Sequence, residues 1–329
     1  MTFDERVAAV ATKRFTERQA RFLTTVMLHS GVCVPRQYAR FCGIVYGEKT
    51  RNFFAKLVRL QYASMYDCRH NRARIYHFNQ RALYAAVGEA HSRLRKPITL
   101  NHAIKRLMVL DAIVEDPDLV WLGTADEKAV HLLALTRIAE ADLPHVSVGD
   151  GEQRTVRYFP DRFPIGIHLA GRGVVVYVVT DPWLDEFRVF LERHASLLRA
   201  LPAWTLRIVV PPQFPDIAQR SKQVVWNQLL TPLRAETLDD LRWYFEQVRS
   251  HPTPSRSNDL DERFYRARDA FSAPRFKALY RVWKEDGEAA LGAAGSRAIS
   301  DAVDAGAGRV ETLELGHRYG HLSPLLAIA

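Results

Sequence analysis

The chain is poor in cysteine, in long apolar runs and in the short motifs that announce common chemistries. It has three cysteines in 329 residues, Cys33, Cys42 and Cys68. An odd number without a C-x-x-C pair excludes a disulfide framework and fits a reducing cytoplasm. Cys33, Cys42, Cys68 and His70 lack the paired spacing of a zinc knuckle, so no metal is expected. No stretch of about 18 apolar residues occurs, so neither a spanning segment nor a membrane partner is expected. Met1 to Arg14 has no apolar h-region, so no secretory leader is expected. No G-x-x-x-x-G-K-[ST] or G-x-G-x-x-G loop cradles a phosphate, and H-E-x-x-H and G-x-S-x-G are missing. These gaps argue against an enzyme and leave no cofactor to name.

What the chain does have is a basic first third. Residues 1–100 hold 18 Lys/Arg against 6 Asp/Glu, a net of +12, within a whole-chain net of +9. The remaining residues carry 28 Lys/Arg against 31 Asp/Glu and are close to neutral. A polyanion is the natural partner of such a segment, and nucleic acid is the commonest one.

The charges fall within an ordered pattern. Thr16 and Gln19 spell a capping box, and Phe22, Leu23, Val26 and Met27 repeat at helical spacing as far as His29. Gly31 ends that helix. Pro35 opens a short second helix with Tyr38, Phe41 and Cys42 inward. A third helix is predicted from Glu48 to Leu60, with Phe53, Phe54, Leu57 and Val58 on its apolar face. Lys49, Arg51, Asn52, Lys56 and Arg59 lie on or beside its polar side. Ala63–Cys68 and Arg74–Phe78 read as two strands of a hairpin whose tip carries Arg69 and Arg72. Phe53, Phe54, Tyr62, Tyr66 and Tyr76 are expected in the core.

Over residues 15–90 this order resembles a winged helix-turn-helix. The resemblance implies that the third helix enters the major groove of duplex DNA, with Arg51, Asn52 and Lys56 foremost. Arg69, Arg72 and Arg74 would then follow a phosphate backbone or enter the minor groove.

Length predicts two or three domains, and the predicted fold class is α+β. We read residues 1–95 as the DNA-binding domain, 96–145 as a helical connector, 146–250 as an α/β domain with a mixed sheet, and 259–329 as a helical C-terminal region and tail. Residues 79–95 read as a helix, then a second that starts after Thr99 and runs to Glu115, then Ala125 to Leu135. In the α/β part, Thr155–Phe159, Phe163–Leu169 and Val174–Thr180 read as strands. A helix from Trp183 to Leu201 and the strand Thr205–Val210 follow. His251–Asn258 is a linker, and Val310–Leu315 a possible last strand.

Strand, strand, strand, helix, strand is similar to the core order of PD-(D/E)XK nucleases, and Pro160-Asp161 stands where that family has Pro-Asp. With the basic third, residues 15–215 also resemble replication-relaxation proteins of plasmids and integrative elements. The nuclease resemblance implies Asp161 as a metal-binding carboxylate, with Asp181 as its nearest companion. It also implies an acid-x-Lys on the central strand, but Val174–Thr180 has neither, and no lysine occurs between Lys128 and Lys222. The expected protein is therefore a cytoplasmic, sequence-specific binder of double-stranded DNA. We expect it to be homodimeric and to act as an accessory or regulatory factor of a mobile element or plasmid, with a recombinase, relaxase or transposase as possible partner. The alternatives are a Mg²⁺-dependent nuclease and a ligand-responsive transcriptional repressor.

Overall fold

In the computed structural model, residues 1–68, 73–136, 138–149, 155–212, 214, 216–250 and 258–319 are described. Two threonines start the first two helices. Thr2 and Glu5 cap α1 (Phe3–Ala11), and Thr16 and Gln19 cap α2 (Glu17–His29), each as a reciprocal capping box. Sequence reading assigned no element to α1. It is held from outside, because its buried Arg6 pairs with Glu127 at 2.6 Å. Gly31 follows α2 at φ +71, and a Cβ there would stand 2.7 Å from the Leu94 carbonyl oxygen. Only glycine suits both conditions.

The chain continues through β1 (Val32–Cys33), α3 (Pro35–Cys42), α4 (Glu48–Arg59), β2 (Ala63–Asp67) and β3 (Arg74–Phe78). These strands form an antiparallel sheet in the order β1-β3-β2. The helix expected over 79–95 is shorter. It is α5 (Arg81–Ala86), followed by a 3₁₀ turn at Arg93–Arg95. Gly88, at φ +79, turns the chain out of the helix.

The stretch read as a connector is more than a bridge. Its helix α6 (Leu100–Val114) puts Leu107, Met108 and Ile113 into the main core and Leu110 and Val114 into the N-terminal core. It is the wall the two share. Its short apolar run is β4 (Val120–Leu122), which leads to α7 (Ala125–Leu135).

The remaining strands correct the expected order. Residues 155–158 form β6 (Thr155–Tyr158), which pairs only with β5 (His145–Val148) in a separate ribbon. The main sheet is mixed and holds β7 (Ile165–Ile167), β8 (Gly173–Val178), β9 (Trp204–Val210) and β10 (Gly308–Glu314) in the order β10-β9-β8-β7-β4. The β4–β7–β8 pairs are antiparallel, and the β8–β9–β10 pairs are parallel. The strands β4, β7 and β8, the helix α8 and the strand β9 follow in that order, but α7 and the β5–β6 ribbon are inserted between β4 and β7, so the expected uninterrupted run of strand, strand, strand, helix, strand is not found. Three-residue strands such as β4 carry little alternation to read, whereas β8 is buried throughout and lies mid-sheet.

The helix between β8 and β9 is α8 (Asp185–Ala200), with Phe187, Phe190, Leu191 and Leu198 buried. After β9 come α9 (Ile217–Val225), a π-helical turn at Trp226–Leu230, α10 (Ala235–Ser250), α11 (Asn258–Ala270), α12 (Pro274–Asp286), α13 (Glu288–Gly295) and α14 (Ala298–Asp304). Leu241, Phe245, Leu279 and Trp283 centre a third core among these helices. The C-terminal region is thus not only helical, since β10 completes the sheet. Gly308 sits opposite Trp204, and a Cβ there would stand 2.5 Å from the buried indole. Arg172 clamps the start of both parallel strands, donating to the Trp204 and Ala307 carbonyls at 2.9 and 2.7 Å. Among the described residues, no helix is long and apolar enough to cross a membrane. Most of the linker and the last ten residues lie outside the described ones.

One carboxylate ties these parts together. Asp111 of α6 is 5% exposed. It accepts two hydrogen bonds from Arg36 of α3, at 2.6 and 2.7 Å, and a short one from Tyr319 Oη. Removing one partner of a buried pair strands the other. Asp111→Ala should therefore cost about 3–5 kcal/mol, and Tyr319→Phe about 1 kcal/mol, read from urea unfolding.

A second buried carboxylate is poised differently. Burial pushes Glu192 of α8 up to about 7, against the pull of its hydrogen bond from Gln228 and the charge of Arg275. Its stabilising proton is fully in place below the ordinary value of 4.5 and is lost as pH rises through about 7. Glu192→Gln should raise stability at pH 8, on the order of 1–3 kcal/mol, and the gain should vanish near pH 4.5. Melting curves at the two pH values check this.

Candidate nucleic-acid interface

Helix α4 owes its orientation to aromatic packing. Phe53 stacks on Tyr38 with centroids 4.3 Å apart, and Phe54 meets Tyr76 of β3 at 4.4 Å. Leu57 is buried one turn on. With this face fixed, helical spacing turns Lys49, Arg51, Asn52 and Arg59 to solvent. None of the four has a side-chain hydrogen bond or ion pair among the described residues.

Between α4 and the β2–β3 hairpin lies a groove of about 930 Å³. Arg51, Val58 and Arg59 form one wall, and Met65, Arg74 and Tyr76 the other. Beside it Val45 is 91% and Tyr46 55% exposed in the α3–α4 turn. Tyr66, expected in the core, is instead 51% exposed on β2, because the outer face of this edge strand is uncovered. Phe53, Phe54 and Tyr76 are buried and Tyr62 is half-buried.

The other predicted cations are differently placed. Lys56 is occupied within the protein. Its Nζ donates to the Arg14 carbonyl and lies 4.8 Å from the Phe15 ring centroid. Arg74 Nε donates to Asp67 Oδ1 at 3.2 Å, which raises the guanidinium above its ordinary value. That pair is exposed and leaves the side chain at the groove. Arg36 also reaches the groove, but Asp111 holds it. Arg69 and Arg72 lie outside the described residues.

Asp161 lies in the turn between β6 and β7, and Asp181 just past the end of the central strand β8. Asp161 Oδ1 accepts from the Phe163 amide at 3.0 Å, and Oδ2 lies 3.8 Å from Nε2 of buried His194. Asp181 Oδ1 accepts from the Trp183 and Leu184 amides at 3.0 and 3.2 Å, bracing the entrance to α8. Linear spacing placed no lysine near Asp161. The fold brings two, Lys105 from α6 and Lys128 from α7. Burial lowers Lys105, while Asp161, Glu186 and Asp181 pull it back. Burial brings Lys128 down to about 8, against the charges of Asp161 and Glu127, and its Nζ donates to the Phe163 carbonyl at 2.7 Å. Nothing in residue spacing could have found this cluster, because its members come from separate helices and from the turns after β6 and β8.

PD-(D/E)XK nucleases hold Mg²⁺ between carboxylates. Among the described residues, no three His, Cys, Asp or Glu side chains gather in a way that could hold a metal ion. Asp181 is also committed to backbone amides. The residues present do not fit that ion.

No family model, curated protein or solved structure matches the chain.

The positions of the α4 cations have a measurable consequence. Arg51→Ala and Arg59→Ala should each leave stability within about 0.5 kcal/mol of the parent. Lys56→Ala should cost about 1 kcal/mol through its lost carbonyl and ring contacts. Urea unfolding of the three variants distinguishes the free cations from the occupied one.

Proposed function

We propose that the chain is a sequence-specific double-stranded DNA-binding protein whose N-terminal unit works as a winged helix-turn-helix. The observation that carries the reading is the row of unengaged polar side chains on α4, Lys49, Arg51, Asn52 and Arg59, beside a groove flanked by the hairpin. An α-helix fits the major groove. Arginine can pair with guanine edges, asparagine with adenine edges, and lysine with phosphates. The hairpin, with Arg74 on β3, lies along the adjoining backbone, and Arg69 and Arg72 fall between its two strands in the sequence. The +12 of the first hundred residues supplies long-range attraction.

On this reading α4 reads sequence and the α/β part organises assembly. A homodimer would present two α4 helices to the halves of an inverted repeat. A role as accessory or regulatory factor of a mobile element or plasmid rests only on the coarser resemblance over residues 15–215, a basic N-terminal unit followed by a mixed-sheet α/β part.

The test is binding to a duplex pool with randomised sequence, followed by titration against salt. An enriched motif is expected, and an inverted repeat would identify the dimer. Arg51→Ala with Arg59→Ala should weaken binding about tenfold or more and flatten the dependence of log K on log salt by up to about two. Unchanged affinity and slope in the double variant would remove α4 from the interface. A pool without enrichment would remove sequence specificity.

A further inference from the structure

A second basic locus lies away from α4. A cavity of about 370 Å³ opens where the end of α2, the 3₁₀ turn at Arg93–Arg95, the start of α7 and the turn after β6 meet. Arg93, Arg157 and Arg162 form its cationic wall, and Glu89 and Asp126 also line it. Arg106 of α6 is close enough to Arg162 to repel it.

These arginines have no counter-charge in contact. No described carboxylate comes within 4.0 Å of Arg93, Arg106, Arg157 or Arg162. Their protein hydrogen bonds are marginal. Arg157 reaches the Pro160 carbonyl, and Arg106 the Leu94 carbonyl, each only at 3.5 Å. Arg162 stands at the surface of the cavity, and partial burial together with Arg157, Arg93 and Arg106 pushes it down to about 10. The turn that carries it places Phe159 and Arg162 in the left-handed region, at φ +47 and +59, where non-glycine residues are uncommon. A fold that gathers like charges in a concavity, on a strained turn, forgoes stability unless an anion neutralises them.

The shape selects among anions. A duplex backbone offers phosphates in a row, and Glu89 and Asp126 would repel the neighbours of any phosphate seated here. A small molecule with one phosphate meets no such penalty, and its hydroxyl or amino groups can donate to those carboxylates. The volume lies at the lower end of the range for small-molecule sites, about 300–1,000 Å³. We propose that this cavity binds a phosphate-bearing small molecule of about mononucleotide size, with the phosphate among Arg93, Arg157 and Arg162. Such a ligand bridges the end of the N-terminal unit and the turn that leads into β7. The proposal does not rest on DNA binding, and its test contains no DNA in the first arm.

Calorimetric titration of the full chain with inorganic phosphate and with adenosine monophosphate reads the site. Saturable binding is expected, with the two probes in competition and affinity reduced at least tenfold in Arg157→Gln/Arg162→Gln. Without ligand, Arg157→Gln/Arg162→Gln should melt at or above the parent, because it removes like-charge repulsion. Lost binding then cannot be ascribed to unfolding. Arg51→Ala/Arg59→Ala should bind the probes as the parent does. Absence of saturable binding at millimolar probe, or unchanged affinity in the arginine pair variant, overturns the proposal. In a second arm, a short duplex that depends on Arg157 and Arg162 while neither small probe binds would assign the locus to a DNA backbone, and this too overturns it.

Discussion

The buried carboxylate of Asp111 is the constraint on which the arrangement depends. It lies on α6, the helix shared by the N-terminal core and the main core. Through Arg36 it holds the start of α3, and through Tyr319 it holds a segment 208 residues downstream. Gln37 adds a hydrogen bond to the Leu107 carbonyl at 2.8 Å, and Ser30 one to the Arg106 carbonyl at 3.0 Å. A charge removed from water is tolerated only when its partners are fixed, so each of these groups limits the freedom of the others. Arg36 also borders the groove beside α4. The side chain that helps lock the two cores together thus also lines the groove between α4 and the hairpin.

The distribution of charge becomes informative only when each cation is asked what already occupies it. Of the basic residues on α4, Lys56 is spent on the Arg14 carbonyl and the Phe15 ring, while Lys49, Arg51 and Arg59 are free. In the main sheet Arg207 is bound to Glu311 at 2.5 Å and Asp116 at 2.7 Å, which ties β9 to β10 and to the end of α6. Cations of the second kind build the fold. Lys49, Arg51 and Arg59, like Arg93 and Arg162 near β6, take no such part among the described residues.

Much of the N-terminal unit was legible because its signals are local. Thr16 with Gln19, Gly31, Pro35 and the aromatic spacing in Glu48–Arg59 each specify an element within a turn or two of chain. The apolar run of β8 was legible for the same reason. What escaped depends on distant residues. β4 has three residues, and only its pairing with β7 makes it a strand. α1 is short, and apart from the cap formed by Thr2 and Glu5 its sequence carries little apolar periodicity; its pairing with Glu127 is a distant contact. Strand 155–158 was visible, but its place in a separate ribbon was not. Of the candidate interface, the outward faces of Arg51 and Arg59 follow from helical spacing, whereas the inward turn of Lys56 depends on where α1 ends. The juxtaposition of Asp161 with Lys105 and Lys128, and of Arg93 with Arg157 and Arg162, exists only once the chain has closed.

Strand β10 sets an order of events in biosynthesis. Its ion pair with β9 spans 104 residues, and the parallel pairing around that pair cannot form until those residues have left the ribosome. The elements up to β3 pair with near neighbours and can settle early, because nearby contacts cost little loop entropy. Throughout that interval β9 presents an open hydrogen-bonding edge with Trp204 uncovered by Gly308. An open edge is a template for any extended chain. The nascent protein therefore passes through a stage in which the open edge of β9 awaits β10, and a ribosome stalled before residue 308 would release that edge to the cell.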